Sequence, residues 1–578
     1  MENFEIASAL EELADLLEIK GSNPFRIRAY RNAVRTIHDL ARPLTAMLEE
    51  GEDLTRLPGI GKDLAGHIRE LATTGTLTLL EEVGRDVPRS LANLTRLDGV
   101  GPKKARKLWD ELGVTSVDEL EEALEAERVQ ALEGFGAKSA EKIRRSIQDF
   151  RKHRSRFLLS EADALIAPLL KALEGVSGVE RVEVAGSYRR RKETVGDMDL
   201  LVLCRGDQAP ETVMDRFTGY PGVQRVVSAG STRGRVLLRS GLPVDIRILP
   251  EESYGAALHY FTGSKEHNVA IRTLGVQRGL RINEYGIFRK TEERVGGSSE
   301  EEVFQAVGLP WIPPLLRENR GEVEAARDGR LPKLLEGEDI RGDLQMHSTW
   351  SDGKNTLREM VEACRDRGYE YLAITDHSRA VTVAGGLQPE EVREQWKEIE
   401  TLRSQVEGIH LFRSLEIDIL KDGSLDMPDD ILRELDLVLI SVHSFMTMGK
   451  TEMTDRVLKA LEHPEVDILA HPTGRILNRR EPFEMDVDEV LRAAARLEVA
   501  VELNAHPSRL DLHDGFLRRA RELGAKVAVN TDSHSVQELT NMHYGVDQAR
   551  RGWLEARDVI NALPLEEFQS WRKRKTPS

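Results

Sequence analysis

Gly186-Ser187-Tyr188-Arg189-Arg190-Arg191-Lys192-Glu193-Thr194-Val195-Gly196-Asp197-Met198-Asp199-Leu200-Leu201 is the stretch on which the reading of this chain turns. A β-branched run, Arg181 to Val184, leads into a Gly-Ser turn, and a cationic segment follows. The apolar run Leu200-Leu201-Val202-Leu203 then carries two aspartates at its entrance. Residues two apart in a strand point to the same face, so Asp197 and Asp199 present two carboxylates side by side on a rigid element. Carboxylates held that close repel one another unless a cation lies between them. Such oxygen-rich sites suit Mg²⁺, which takes one or two carboxylates together with substrate phosphates. The Gly-Ser turn offers N–H groups and a hydroxyl to those phosphates, with Arg190 beside them. A third carboxylate is available in Val244-Asp245-Ile246-Arg247-Ile248, where the aliphatic residues fill one face and Asp245 the other. Together these parts point to phosphoryl or nucleotidyl transfer with two metals.

The Gly-Ser…Gly-Asp-x-Asp arrangement resembles the nucleotidyltransferase palm of family X DNA polymerases. The resemblance implies Asp197, Asp199 and Asp245 as the catalytic metal ligands, with Ser187, Arg190 and Gly196 near the triphosphate. Further on, Tyr260-Phe261-Thr262-Gly263-Ser264 and His267-Asn268-Val269-Ala270-Ile271-Arg272 look like the nucleotide-selecting part of the same family. There Tyr260, Phe261 and Gly263 are expected under the sugar, and Asn268 and Arg272 near the minor groove. Lys265 stands where animal enzymes often carry an acidic residue.

At 578 residues the chain is too long for one ordinary core, and several domains are expected. No apolar run is long enough to span a bilayer, and the acidic Met1-Glu2-Asn3 does not look like a signal peptide, so none is expected. Cys204 and Cys364 fall in separate candidate domains, so no disulfide framework is implied and the cytoplasm is the expected location. The net charge of −17 is a sum over domains, whereas nucleic-acid binding needs only a local basic face. Arg151 to Arg156 and Arg189 to Lys192 are candidates for that face.

Residues 1–150 read as helices broken by short glycine turns, with Ala7 to Leu17 amphipathic and Arg26 to Ile37 basic. A hydrophobic-Gly-hydrophobic-Gly pattern recurs at Leu57–Gly61, Leu97–Gly101 and Leu132–Gly136. It resembles the helix-hairpin-helix motif, which implies DNA contacts at Gly59, Gly61, Gly99, Gly101, Gly134 and Gly136. Backbone N–H groups there would face phosphates and carry no sequence information. In eukaryotic relatives the first such module uses a Schiff-base lysine to remove 5′-deoxyribose phosphate. His67 holds that position here and Lys62 is misplaced, so no lyase activity is expected.

Beyond residue 340 histidine usage changes, with ten of the fifteen histidines in this part. Short apolar strands alternate with helical segments, which predicts a parallel β/α architecture of barrel type. Barrels of this type place their chemistry at the C-terminal ends of the strands. Those ends carry His347, Asp376-His377, Glu416, His443, His471 and Asp532-Ser533-His534, with Asp352 just after the first. Mixed imidazole and carboxylate donors suit Zn²⁺ or Mn²⁺. The pattern resembles the PHP domain, a distorted barrel with a phosphoesterase centre of two or three metals. The resemblance implies His347, Asp352, His377, Glu416, His443, His471, Asp532 and His534 as ligands. PHP sequences usually open with His-x-His, and this one reads Gln345-Met346-His347. His506 and Arg509 are candidates for contacting a phosphate beside the cluster.

The expected fold is therefore multidomain: an all-α helix-hairpin-helix arm, an α/β nucleotidyltransferase palm and a C-terminal β/α PHP domain. Expected boundaries are 1–85 and 86–155 for the two parts of the arm, 156–250 for the palm and 251–314 for the nucleotide-selecting subdomain. A connector at 315–340 and the PHP domain at 341–578 complete the chain. The order matches bacterial and archaeal family X polymerases. It implies filling of short gaps in repair, with Mg²⁺ or Mn²⁺ in the palm and Mn²⁺ or Zn²⁺ in the PHP site. A 3′-5′ exonuclease, with abasic-site cleavage as an additional option, is implied for the PHP domain. Expected partners are gapped or primer-template DNA and deoxynucleoside triphosphates, with the chain a monomer. Two alternatives are a nuclease whose palm only positions DNA ends, and a non-catalytic scaffold for DNA ends.

Overall fold

The computed structural model describes all residues except 1, 2, 39–43, 96, 98, 154, 155, 206–208 and 574–578. Met1, Glu2, Asp98, Arg154 and Ser155, which figure in the motifs above, lie outside the described residues. The chain forms two compact units, one of residues 1–157 with short pieces at 163–167 and 478–480, the other of the remainder. Among the described residues no helix is long and apolar enough to cross a membrane.

The first unit is helical. Helix α1 (Asn3–Lys20) buries Ile6, Leu10, Leu13 and Leu17, spaced so that they share one face. The basic helix α2 (Pro24–His38) packs against it. The three glycine motifs share one local geometry. Gly59, Gly99 and Gly134 have φ of 71°, 85° and 88°, a region costly for any residue with a Cβ. The apolar residue between the glycines (Ile60, Val100 or Phe135) is buried and pins each hairpin to the core. Gly61, Gly101 and Gly136 immediately precede α3 (Lys62–Thr74), α4 (Pro102–Leu112) and α5 (Ala137–His153). All six glycines are exposed, so the turns present backbone to solvent. His67 is held by the Tyr30 hydroxyl at 3.1 Å, with the two rings stacked.

In the second unit, β1 (Val179–Val184) leads into the single helical turn α6 (Gly186–Arg189) and then β2 (Met198–Cys204). β3 (Val223–Ala229), β4 (Arg233–Leu238) and β5 (Pro243–Leu249) complete a five-stranded sheet of order β1-β2-β5-β4-β3. β2 and β5 are its parallel pair, and the other neighbours are antiparallel. Leu200, Leu201 and Val202 are all buried, so β2 is covered on both faces. Helices α7 (Glu251–Thr262), α8 (Lys265–Gln277) and α9 (Glu300–Ala306) follow. The charged segment after residue 315 is packed: Arg317 is fully buried, and Glu322, at the start of α10 (Glu322–Arg327), accepts from His267 at 2.7 Å.

Seven parallel strands follow in consecutive order: β6 (Gly342–Asp343), β7 (Tyr371–Ile374), β8 (His410–Asp418), β9 (Leu437–Ser441), β10 (Ile468–Leu469), β11 (Ala500–Asn504) and β12 (Val527–Asn530). A parallel bridge between Met346 and Ser533 brings the two edges together and nearly closes the barrel. The alternation along each strand explains how a core becomes a site. Phe412, Leu437, Leu439, Ile468 and Ala528 form an apolar cluster with Phe568 from the C-terminal helix. Stepping by two along β8 from Phe412 leads to Ser414 and Glu416, and along β9 from Leu439 to Ser441 and His443. The same strand face is therefore apolar at its entry and carries donors at its exit. Glu416 lies inside β8, two residues before its end.

Candidate active sites

In the sheet of β1–β5, register places Asp199 of β2 directly beside Asp245 of β5. Asp197 precedes β2 and is exposed, while Val244, Ile246 and Ile248 are buried and hold β5 in place. Burial, followed by the charges of Asp197 and Asp245, pushes the Asp199 carboxyl up to about 6. Burial also raises Asp245, against the pull of Arg235 at 3.6 Å. Gly186 has φ of 65°, and a Cβ there would lie 3.0 Å from Asp199 Oδ2. Glycine therefore lets the turn carrying Ser187 close against the carboxylates.

The arginines beside that turn have separate structural partners. Arg189 makes a bidentate pair with Glu300 at 2.8 and 2.9 Å. Arg190 donates to Glu318 at 3.0 Å and to the Thr262 carbonyl at 2.5 Å, and Gly263 leaves room for its guanidinium. Arg191 pairs with Asp547 at 2.6 Å, and Glu193 accepts from Gln548 at 2.7 Å and Arg475 at 2.5 Å. Thus the cationic segment is tied to the seven-stranded domain, through α12 (Met542–Arg551) in particular. Arg551 donates to the Arg190 carbonyl at 2.6 Å and to Glu318 at 3.2 Å.

Tyr260 and Phe261 close α7, and Gly263 follows with φ of 69°. The expected aromatic turn is therefore a helix end. Asn268 donates from its amide to the Tyr260 carbonyl at 2.7 Å, and Arg272, one turn later on α8, donates to the Asn268 carbonyl at 3.4 Å. The Arg247 guanidinium lies 4.3 Å from the Phe261 ring, connecting this helix end to β5.

The barrel brings its donors together in three overlapping groups whose ligand atoms lie within 4.8 Å of one another. One is His347, Asp352, His377 and His534; another is His377, Glu416 and His443; the third is His347, Glu416 and Asp532. His471 joins through Glu416, 2.8 Å from its Nε2. The imidazoles of His377 and His534 stack on His347 at 4.5 and 4.2 Å. Among the described residues, buried His347 Nδ1 and His471 Nδ1 find no hydrogen-bond partner, and His377 Nδ1 and Glu416 Oε2 have only each other at 3.2 Å. Burying such atoms unpaired is costly, and a divalent cation accepted by these donors removes the cost. The residues present therefore fit a metal cluster. Burial presses His377 down to about 3, in the direction a neutral ligand requires. Burial also opposes the charged form of His534, yet Asp352 and Asp532 carry it up to about 10.

The DNA polymerase beta palm family matches residues 158–229, and the DNA polymerase beta thumb family matches residues 257–318. Helix-hairpin-helix families match 1–77 and 91–149, and the PHP domain family matches 343–506. The chain is 40% identical over 577 residues to the DNA polymerase/3′-5′ exonuclease PolX of Bacillus subtilis, covering 99% of this chain and 100% of that protein. The chain belongs to the family X DNA polymerases with a C-terminal PHP domain. Partial similarity points the same way. DNA polymerase lambda of Arabidopsis thaliana is 27% identical over 46% of this chain and 54% of its own length. A probable phosphatase of Acetivibrio thermocellus is 29% identical over 38% of this chain and 90% of its own length.

Within this family X chain the eight PHP residues expected from sequence fall in or directly against the cluster. Gln345 is fully buried and, with its amide nitrogen turned inward, donates to Glu502. His506 bonds Ser508 at 2.8 Å, and Arg509 lies 3.6 Å from Asp532. Three further carboxylates hold the cluster: Asp376, which the sequence marks as a strand-end acid outside the expected ligand set, and Asp418 and Glu502, which it does not single out. Asp376 accepts from Ser348 at 2.6 Å and Gln395 at 2.7 Å, fixing the loop that ends in Asp352. Asp418 accepts from the His443 N–H at 2.9 Å, and Glu502 from the His471 N–H at 2.7 Å. Position offered a partial signal: all three lie at or near the exits of β7, β8 and β11.

Proposed function

We infer that this protein is a DNA-directed DNA polymerase of family X that carries a PHP-domain 3′-5′ exonuclease, and that it fills short gaps in DNA repair. The pairing of Asp199 with Asp245 across parallel strands carries the polymerase reading, because it sets carboxylates side by side on a rigid sheet. Asp197 and Asp199 hold the divalent cations, for which Mg²⁺ and Mn²⁺ are the natural choices. When bound, those cations supply charge neutralisation at the transferring phosphoryl group. Asp245 orients the primer 3′-oxygen. Ser187 and Gly196 face the triphosphate, and Arg190 exchanges Glu318 for a phosphate oxygen. Tyr260, Phe261 and Gly263 support the sugar, while Asn268 and Arg272 approach the base pair.

In the barrel, His347, Asp352, His377, Glu416, His443, His471, Asp532 and His534 hold Mn²⁺ or Zn²⁺, which supply Lewis acidity for phosphodiester hydrolysis. Asp376, Asp418 and Glu502 orient the ligands that carry that load. The exposed glycine hairpins hold DNA through its phosphates without regard to sequence. Cleavage at abasic sites is an additional activity of the same centre.

A labelled one-nucleotide-gapped duplex with Mn²⁺, assayed with and without deoxynucleotides, tests the two-site reading. Asp199→Ala is expected to lose filling and keep 3′ degradation, and His534→Ala the reverse. Loss of both activities with either variant alone would overturn the assignment of two independent centres.

A further inference from the structure

Metals held by the barrel's ligands would engage the scissile phosphate, and further contacts are needed to hold the nucleoside attached to it. The loops that follow β8 and β9 carry a feature suited to that task. Phe445 lies two residues beyond the ligand His443 and is 57% exposed. A single exposed aromatic is ordinary on a protein surface. Three observations set Phe445 apart. Its φ is 53°, a left-handed conformation that a bulky residue adopts only where its surroundings enforce it. The ammonium of Lys421, on the neighbouring loop beyond Glu416 and Asp418, lies 5.5 Å from the centre of its ring.

The third observation is a clamp that fixes both loops. Arg456 of α11 (Lys450–Leu461) is 2% exposed, although arginine is among the residues least often buried. Its guanidinium donates to the Ser444 carbonyl at 2.8 Å, to the Leu420 carbonyl at 2.9 Å and to the Ile419 carbonyl. Its partners thus directly precede Phe445 on one loop and Lys421 on the other. Ser444 also reaches Asp418 at 3.2 Å, and Asp418 holds the backbone of the ligand His443. The backbone that carries the aromatic ring is therefore fixed, beside a cation and at the strand exits that carry the donors.

We propose that Phe445 and Lys421 form a stacking subsite for an unpaired nucleobase of the DNA strand that the PHP centre degrades. The ring supplies a face on which any base stacks, and Lys421 meets the strand's phosphates. Sequence tolerance follows, because every base has a π-face. This rests on the nuclease assignment above, and the test separates the two.

Wild type, Phe445→Ala and Phe445→Trp are compared on single-stranded oligonucleotides with Mn²⁺. One oligonucleotide ends in ordinary nucleotides, and in the other tetrahydrofuran replaces the last three bases. Phe445→Ala is expected to raise KM for the ordinary strand about tenfold and to leave the base-free strand within twofold. Phe445→Trp keeps the wild-type preference, and bound Mn²⁺ is the same in all three proteins. Fluorescence of Phe445→Trp, corrected for wild type, is expected to be quenched by the ordinary strand and not by the base-free one. Equal effects of Phe445→Ala on both strands, or none on either, would overturn the subsite. If wild type degrades neither strand the nuclease assignment fails, and the fluorescence titration still decides whether a base stacks on this ring.

Discussion

Lowering the pH from 7 to 5 is expected to weaken divalent-cation binding in the palm about tenfold, and Asp199 is the reason. Its carboxyl stands at about 6 instead of 3.8, because it is buried and faces Asp197 and Asp245. A raised carboxyl holds its proton to higher pH, and the proton competes with the cation for the same oxygens. At pH 7 such a group is roughly 90% ionised, and at pH 5 only about 10%. An ordinary aspartate would still be more than about 90% ionised at pH 5, so without the shift the affinity would hardly change. The direction is fixed: affinity is full above about pH 7 and is lost as the pH falls through 6. Asp245, raised for similar reasons, adds to the same trend. The assay is single-nucleotide incorporation into gapped duplex at a series of Mg²⁺ concentrations and at pH 5, 6 and 7. The His534→Ala background removes degradation of the product. The readout is the half-saturating Mg²⁺ concentration, which separates binding from the pH dependence of the chemical step. A change of less than twofold between pH 7 and 5 would refute the argument.

Other perturbations test the remaining parts. Gly59→Val forces a side chain into a φ of 71° and should destabilise the helical arm by about 1–2 kcal/mol, lowering its affinity for duplexes of any sequence. Gly61→Ala, at φ of −80°, should stay within about 0.5 kcal/mol, which denaturation and anisotropy titrations compare directly. Arg551→Ala takes one of two arginines from Glu318 and from Asp514, which keep Arg190 and Arg320 at 3.0 Å, and should cost about 1.5–3 kcal/mol in the larger unit, measured by denaturant unfolding. Glu502→Gln removes the carboxylate that anchors the His471 backbone. It should weaken metal retention about 10–100-fold in equilibrium dialysis while leaving nucleotide incorporation intact.

Local patterns that the chain expresses by itself were legible in the sequence. Alternation in Val244–Ile248 assigned Asp245 to one strand face, and β5 has that face. Glycines spaced two apart marked three hairpins, because a left-handed turn excludes most other residues. Donors following short apolar runs marked the exits of a parallel barrel, a consequence of how strands and crossovers alternate. What escaped depends on partners far away in sequence. Arg190 reads as a free cation awaiting phosphate, yet it is engaged by Glu318, 128 positions on, and by the carbonyl of Thr262. Asp418 and Glu502 look like ordinary acids until folding sets them against the backbones of His443 and His471, and the strand-end acid Asp376 is set against Ser348.

The sequence by itself determined which residue types stand at which strand ends, since period-two alternation and glycine's freedom are local properties. Only the tertiary structure decided which acids outside the expected ligand set hold the histidine backbones in place, as Asp418 and Glu502 do. It also decided that Arg456 would fix two loops at once, and that the palm's cationic segment would be tied to the barrel. The physical reason is that hydrogen bonds and charge pairs between distant segments depend on the meeting of surfaces. That meeting is set by how the cores pack, and no local pattern encodes it.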